Sequence, residues 1–269
     1  MRQSHMPYIG ITDFTSPEQV RDMLGFMDDL TFSDPLFDRV LHVGVMMSRK
    51  TLMGIETKWA KAFPPKENIA RIFSYPEAYN CLHYANFDYS TGIEDELVRA
   101  LSYGGENLRA IQLDMTWPDP DNVHKAMHRT GKNIEVIMQI GKKAQAMCGD
   151  DPKRVAEYLD RYTGVVDRVL LDKSMGMGLG MDAMAMLPFL REISERIPQL
   201  QLVVAGGLGP TSLHLLDPVL AEFPRISFDA QGKLRPSGDA LNEPLDWHYV
   251  RSYLYQAIAK IYYYQGLAA

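Results

Sequence analysis

The sequence predicts an α/β chain folded as a single (β/α)₈ TIM barrel with a parallel eight-stranded core. Three observations predict it. The length of 269 residues suits one such barrel. Eight short apolar runs recur along the chain, and helical patterns with recognisable starts lie between them. An open doubly wound sheet, the main alternative, seldom runs to eight β-then-α units.

The elements follow in order. Residues 8–12 open as an apolar strand, and Ser16-Pro17-Glu18-Gln19 then offers an N-cap, a proline at N1 and acidic or amide side chains in the first turn. The second run, 40–46, leads into a long segment, 48–65, that reads as an elaborated loop at the strands' C-terminal ends. Runs at 81–87, 108–113 and 134–140 give strands three to five. Asp151-Pro152 repeats the capping device before a helix over 153–162. Strands are expected at 166–171, 200–205 and 225–228, with amphipathic helices over 181–197, 212–223 and 246–265 and a second long loop at 236–244. Several runs are nearly continuous hydrophobics, as strands buried on both faces should be. No linker rich in Pro, Gly or Ser divides the chain, so residues 1–269 are expected to form one domain, with Met1 to His5 set aside as an expression-junction remnant.

Composition limits the function. Hydrophobic residues make up 46% and charged residues 23%, and 28 Lys+Arg against 34 Asp+Glu leave a formal charge of −6. That balance excludes a disordered chain and a basic nucleic-acid-coating surface. No stretch has the roughly 18 consecutive apolar residues of a membrane span. Cys81 and Cys148 are too few for a disulfide framework, so free thiols and a cytoplasmic setting are expected. No metal and no cofactor is expected.

In a barrel the chemistry sits where the strands end. Asp13, Asp88, Asp114, Asp172 and Asp229 fall at such ends and make an acidic ring, with Arg49, Lys142, Lys173 and Lys233 as nearby cations. After strand seven, Gly206-Gly207-Leu208-Gly209 opens a helix, and Asp229-Ala230-Gln231-Gly232 follows strand eight. Glycines let backbone N–H groups approach an anion, and a helix N-terminus favours one. Loops seven and eight together point to a phosphate site formed by Gly206, Gly207, Asp229 and Gly232, although each turn alone is also a common βα turn.

These residues resemble the phosphoribosylanthranilate isomerase family of ribulose-phosphate-binding barrels along nearly the whole chain. Tyr8-Ile9-Gly10-Ile11-Thr12 resembles that family's K-I-C-G-I-T, and Ala110-Ile111-Gln112-Leu113-Asp114 its A-V-Q-L-H. Leu170-Leu171-Asp172 looks like its L-L-D, followed by a glycine-rich loop at 176–180. Val204-Ala205-Gly206-Gly207-Leu208 resembles L-S-G-G-L, and Phe228-Asp229-Ala230-Gln231-Gly232 a shortened V-D-V-S-S-G. The resemblance implies the scaffold, a small phosphorylated metabolite as partner, an aldose–ketose (Amadori-type) isomerisation, and Asp172 as general acid. It also implies Arg49 as the holder of a substrate carboxylate.

The departures concern the base. The family's strand-one cysteine is answered by Ile9, and its histidine after strand four by Asp114. The reaction needs an acid to open the ring and a base to remove a carbon-bound proton. Residues 9, 11 and 13 share one face by strand alternation, which makes Asp13 one candidate base and Asp114 the other. Two other readings stay open: a Schiff-base aldolase using Lys173, against which alternation argues because Asp172 and Lys173 cannot both face inward, and a non-catalytic phosphate-ligand barrel.

The remaining features read as structural. His83 reads as a packed core histidine, and His124 with His128 as a solvated helix face without a third zinc ligand. The methionine- and glycine-rich stretch 175–181 reads as a lid, and tyrosines 253, 255, 262, 263 and 264 as barrel packing or a homodimer contact.

Overall fold

A computed structural model describes residues 6–32, 34, 36–88, 92–172 and 182–268. Eight strands, β1 (Tyr8–Thr12), β2 (Val40–Ser48), β3 (Tyr79–Ala85), β4 (Ala110–Asp114), β5 (Glu135–Gly141), β6 (Arg168–Asp172), β7 (Gln201–Ala205) and β8 (Ser227–Ala230), pair in parallel in chain order. β1 also pairs with β8, with Gly10 opposite Asp229, so the sheet closes into a barrel. Each expected strand is present, shifted by two residues or fewer at its start.

The helices are α1 (Pro17–Thr31), α2 (Arg49–Met53), α3 (Ile69–Ile72), α4 (Ile93–Ser102), α5 (Pro120–Thr130), α6 (Lys142–Met147), α7 (Pro152–Leu159), α8 (Ala183–Arg196), α9 (Asp217–Glu222) and α10 (Trp247–Ala268). Capping chemistry fixes their starts. Ser16 and Gln19 form a reciprocal box on α1, Asp119 caps α5 and Asp151 caps α7, each helix with proline at its first turn. The expected helix over 212–223 is instead a 3₁₀ turn, Leu213–Leu216, followed by the short α9. Pro218 explains the break, because it has no N–H to give the His214 carbonyl that a continuous helix would require. The segment after β2 forms α2 and a 3₁₀ turn, Lys58–Lys61, at the strands' C-terminal ends.

Two cores follow from strand alternation. Ile9, Ile11, Val43, Val45, Leu82, Ile111, Leu113, Val169, Leu171 and Val204 pack against helix residues such as Val20, Leu97 and Val123, so they face outward from the barrel. Tyr8, Tyr79, Cys81, Ala110, Ile137, Leu170 and Val203 form a separate inner cluster drawn from strands alone. On β1 the residues facing the axis are therefore Tyr8, Gly10 and Thr12. The alternation argument for residues 9, 11 and 13 is corrected: Ile9 and Ile11 belong to the outer layer, and Asp13 leaves the strand with φ +94°.

Candidate active site

The mouth of the barrel is built from inward residues at the C-terminal strand ends. β4 contributes Gln112 and Asp114, β5 Gln139, β6 Asp172 and β8 Asp229. An amide chain links four strands. Gln112 Nε2 lies 3.1 Å from Nε2 of His83 on β3 and donates to Gln139 Oε1 at 2.9 Å. Gln139 Nε2 in turn donates to Asp172 Oδ2 at 3.4 Å. Burial pushes the His83 imidazole down to about 4, so it is neutral and acts as a polar neighbour rather than a cation.

Across the mouth, Asp229 accepts from the buried Thr12 hydroxyl at 2.9 Å. Two inward glycines make room for this pair. A Cβ on Gly10 would stand 2.5 Å from Asp229 Oδ1, and one on Gly44 would strike Thr12 Oγ1. Burial pushes the Asp229 carboxyl up to about 7; hydrogen bonds from Thr12 and the Ala230 amide oppose the shift, while Asp13 and Asp172 add to it. Asp114 is also raised to about 7, by burial first and then by the negative charge of Asp172. Asp172 lies on β6, between the strands that carry these two carboxyls, and its charge adds to the effect of burial on both, an arrangement that separates acid and base roles among like groups.

The other expected residues are placed differently. Asp13 is buried and ion-paired: Arg235 Nη2 donates to its Oδ2 at 2.8 Å and Gln231 Nε2 to its Oδ1 at 2.9 Å. Burial raises its pKa, and Arg235 opposes the rise. Arg49 sits at the start of α2, with Nε donating to Glu96 Oε2 at 3.0 Å; its Nη groups make no hydrogen bond among the described residues. Glu96 holds this corner together, since its Oε1 also accepts from the Tyr84 hydroxyl at 2.6 Å and from Asn86 Nδ2 at 2.5 Å. Gly206 and Gly207 follow β7 with φ of +116° and +64°, conformations that favour glycine, and Ser212 Oγ donates to the Gly207 carbonyl at 2.6 Å. No regular helix follows them directly, so the expected helix N-terminus is missing from that loop. Gly232 is not among the positive-φ glycines. Loops seven and eight do touch: a Cβ on Gly209 would lie 2.6 Å from Lys233 Cβ. Lys173 and the stretch 173–181 lie outside the described residues.

Sequence reasoning missed Arg235 and Glu96. Glu96 left a signal, because it falls in the apolar stripe Ile93, Glu96, Leu97, Ala100, Leu101 that α4 buries. Arg235 left none: nothing local marks a loop arginine as fully buried. Among the described residues no group of three or more His, Cys, Asp or Glu side chains is arranged to hold a metal ion, and no helix is long and apolar enough to cross a membrane.

Fold and mouth together define the class: a closed (β/α)₈ barrel with carboxyl and amide groups at the C-terminal strand ends, the architecture of barrel enzymes. Solved structures agree on the fold. An orotidine 5'-monophosphate decarboxylase from Methanocaldococcus jannaschii, complexed with the inhibitor BMP, is similar with a TM-score of 0.54 and 13% identity over 96% of this chain and 99% of that one. The active domain 2 of a thermostable chitinase from Pyrococcus furiosus, complexed with chito-oligosaccharides, is similar with a TM-score of 0.52 and 12% identity over 95% of each chain. No family model matches the chain, and no curated protein sequence does.

Proposed function

We propose that this chain is a proton-transferring barrel enzyme for a small phosphorylated, sugar-type substrate, an aldose–ketose (Amadori-type) isomerase or a related carbon-acid enzyme. One observation carries the reading: Asp114, Asp172 and Asp229 face the mouth from alternate strands, where burial pushes Asp114 and Asp229 up to about 7. General acid–base catalysis works best with groups whose pKa lies near the working pH. Asp172 and Asp114 are assigned as the acid–base pair, one protonated while the other is ionised, and Asp114 is preferred to Asp13, whose carboxylate is committed to Arg235. Asp229, fixed by Thr12, orients the substrate, and the Gln112 and Gln139 amides suit its hydroxyl groups. The free Nη fork of Arg49 and the backbone N–H groups of Gly206, Gly207 and Gly232 are the proposed anion contacts. Tyr253 packs inside on the barrel, so the homodimer in this proposal uses the exposed Tyr255, Tyr262 and Tyr263 of α10, and the setting is cytoplasmic.

The test is deuterium exchange. The chain is incubated in D₂O with a panel of aldose and ketose phosphates, and label at the carbon next to the carbonyl is followed by NMR. Exchange with at least one member, reduced about 100-fold or more in Asp114→Asn and Asp172→Asn, is the expected result. Saturable binding of phosphorylated ligands without exchange would replace this reading by the non-catalytic one.

A further inference from the structure

Loops seven and eight pack against each other where Gly209 lies on the Lys233 Cβ, with no room for a side chain of its own. Their backbones hold unused donors. The amides of Gly206, Gly207, Leu208 and Gly209, and those of Gln231, Gly232 and Lys233, donate to no acceptor among the described residues. Gly206, Leu208 and Gly209 are nevertheless buried residues. Buried backbone N–H groups are nearly always paired, and successive free amides in turns with left-handed residues form concavities that bind anions.

Lys233 adds a charge to this donor set. Its side chain runs from Gly209 at the Cβ to Gly238 at the tip, where a Cβ on Gly238 would lie 3.7 Å from Cδ and 3.6 Å from Nζ. Gly238 in turn stands beside Gly232, whose own added Cβ would lie 3.5 Å from the Gly238 carbonyl oxygen. The ammonium is thus held next to the amides of loop eight. Lys233 is half-buried, and it makes no hydrogen bond or ion pair among the described residues. The acids around it are committed elsewhere. Asp13 is held by Arg235 and Gln231, Asp217 by Lys260 and Asp229 by Thr12. Asp239 accepts from the Leu241 amide at 2.9 Å, Glu243 from the Ser237 hydroxyl at 2.6 Å and Asp246 from the His248 amide at 2.8 Å. The segment that carries Lys233 is anchored on both sides. Arg235 Nη1 donates to the Gln231 carbonyl at 3.0 Å, and the fully buried Leu234 accepts from the Asp246 amide at 3.0 Å. A cation fixed in this way loses little freedom when it binds.

We propose that Lys233 is the binding residue that gives the loop seven and loop eight site its charge selectivity: its ammonium pairs with the phosphate group of the substrate and rejects the uncharged counterpart. The inference rests on the phosphorylated substrate proposed above and adds the side chain that selects it. An ammonium on a four-carbon stem suits a phosphate as a point charge, while the amides supply direction.

Inorganic phosphate is the probe, titrated into the full chain at constant ionic strength by calorimetry and by ¹H–¹⁵N NMR. Saturable binding that shifts the Gly206, Gly207, Gly232 and Lys233 amides is expected. Lys233→Met keeps an apolar stem on Gly209 and Gly238 and removes the charge. It should weaken binding about tenfold or more at an unchanged urea midpoint, the effect of losing one charge-assisted contact. Lys233→Arg should restore most of the affinity, which a merely structural role would not do. Lys125→Met, on the exposed face of α5, controls for net charge and should leave affinity unchanged. Unchanged affinity in Lys233→Met, with the loop amides still shifting, would overturn the role of Lys233 and spare the phosphorylated-substrate reading. An equal loss in Lys125→Met would overturn it too. No saturable phosphate binding by the wild type would overturn both. Lys233-dependent binding in a chain that exchanges no deuterium would keep this inference and set the reaction aside.

Discussion

Replacing Asp114 by asparagine tests the electrostatics of the mouth without removing its shape. Asp114 is half-buried and raised from 3.8 to about 7, first by burial and then by Asp172. A folded-state pKa above the unfolded one means the native chain holds that proton more tightly. Its contribution is therefore fully present below about pH 4 and lost as pH rises through about 7. The rise from 3.8 to about 7 corresponds to a ceiling of about 4 kcal/mol, and solvent at the barrel mouth brings the observable to about 2 kcal/mol. Asparagine carries no charge at any pH. Asp114→Asn should thus be nearly neutral at about pH 3 and more stable than the wild type by about 2 kcal/mol at about pH 8. Urea unfolding at both pH values reads this as a higher midpoint at unchanged slope. Comparing variant with wild type cancels the other titrating groups. Equal stability differences at the two pH values, or a loss at the higher one, would refute the reasoning.

Other positions give independent outcomes. Arg235→Gln should cost about 3–5 kcal/mol in urea unfolding, because it leaves Asp13 buried and uncompensated, and adding Asp13→Asn should recover much of the loss. Gly10→Ala should destabilise by about 1–3 kcal/mol, since its Cβ would displace Asp229 from Thr12; a variant as stable as the wild type speaks against the Thr12–Asp229 packing. His42 is driven by burial from 6.5 down to about 3, so the unfolded chain binds the extra proton and stability falls as pH drops through that window. His42→Phe should shift acid unfolding to lower pH, and an unchanged acid midpoint would place His42 in a wetter site. Glu96→Gln releases Arg49, and a raised KM at nearly unchanged kcat is the expected signature of its anion-holding role.

The barrel was legible because parallel strands buried on both faces read as near-continuous apolar runs, and because Ser16 and Asp151 announce helices. That same continuity hid the facing of β1. All five of its residues are buried, so nothing in Tyr8-Ile9-Gly10-Ile11-Thr12 distinguishes the axis side from the helix side. The acidic strand ends Asp114, Asp172 and Asp229 were visible as sequence positions, but their shared mouth needed the register of β4, β6 and β8. The pairing of Asp13 with Arg235 joins residues 222 positions apart, which local pattern cannot reveal. Arg168 interrupts an apolar run without any mark that its guanidinium stacks on Tyr8 and Tyr79 at the far end of the barrel.

The central claim is that carboxyl groups at the mouth change protonation near neutrality. Carbon-13 NMR of the aspartate side-chain carboxyls between about pH 3 and pH 9, assigned with Asp114→Asn and Asp229→Asn, measures this directly. Two resonances with midpoints about 7 are predicted, and Asp172→Asn should lower that of Asp114 by removing the neighbouring charge. If every assigned aspartate instead titrates near the ordinary value of roughly 3.5, the mouth is a solvated acidic rim and the acid–base account is wrong.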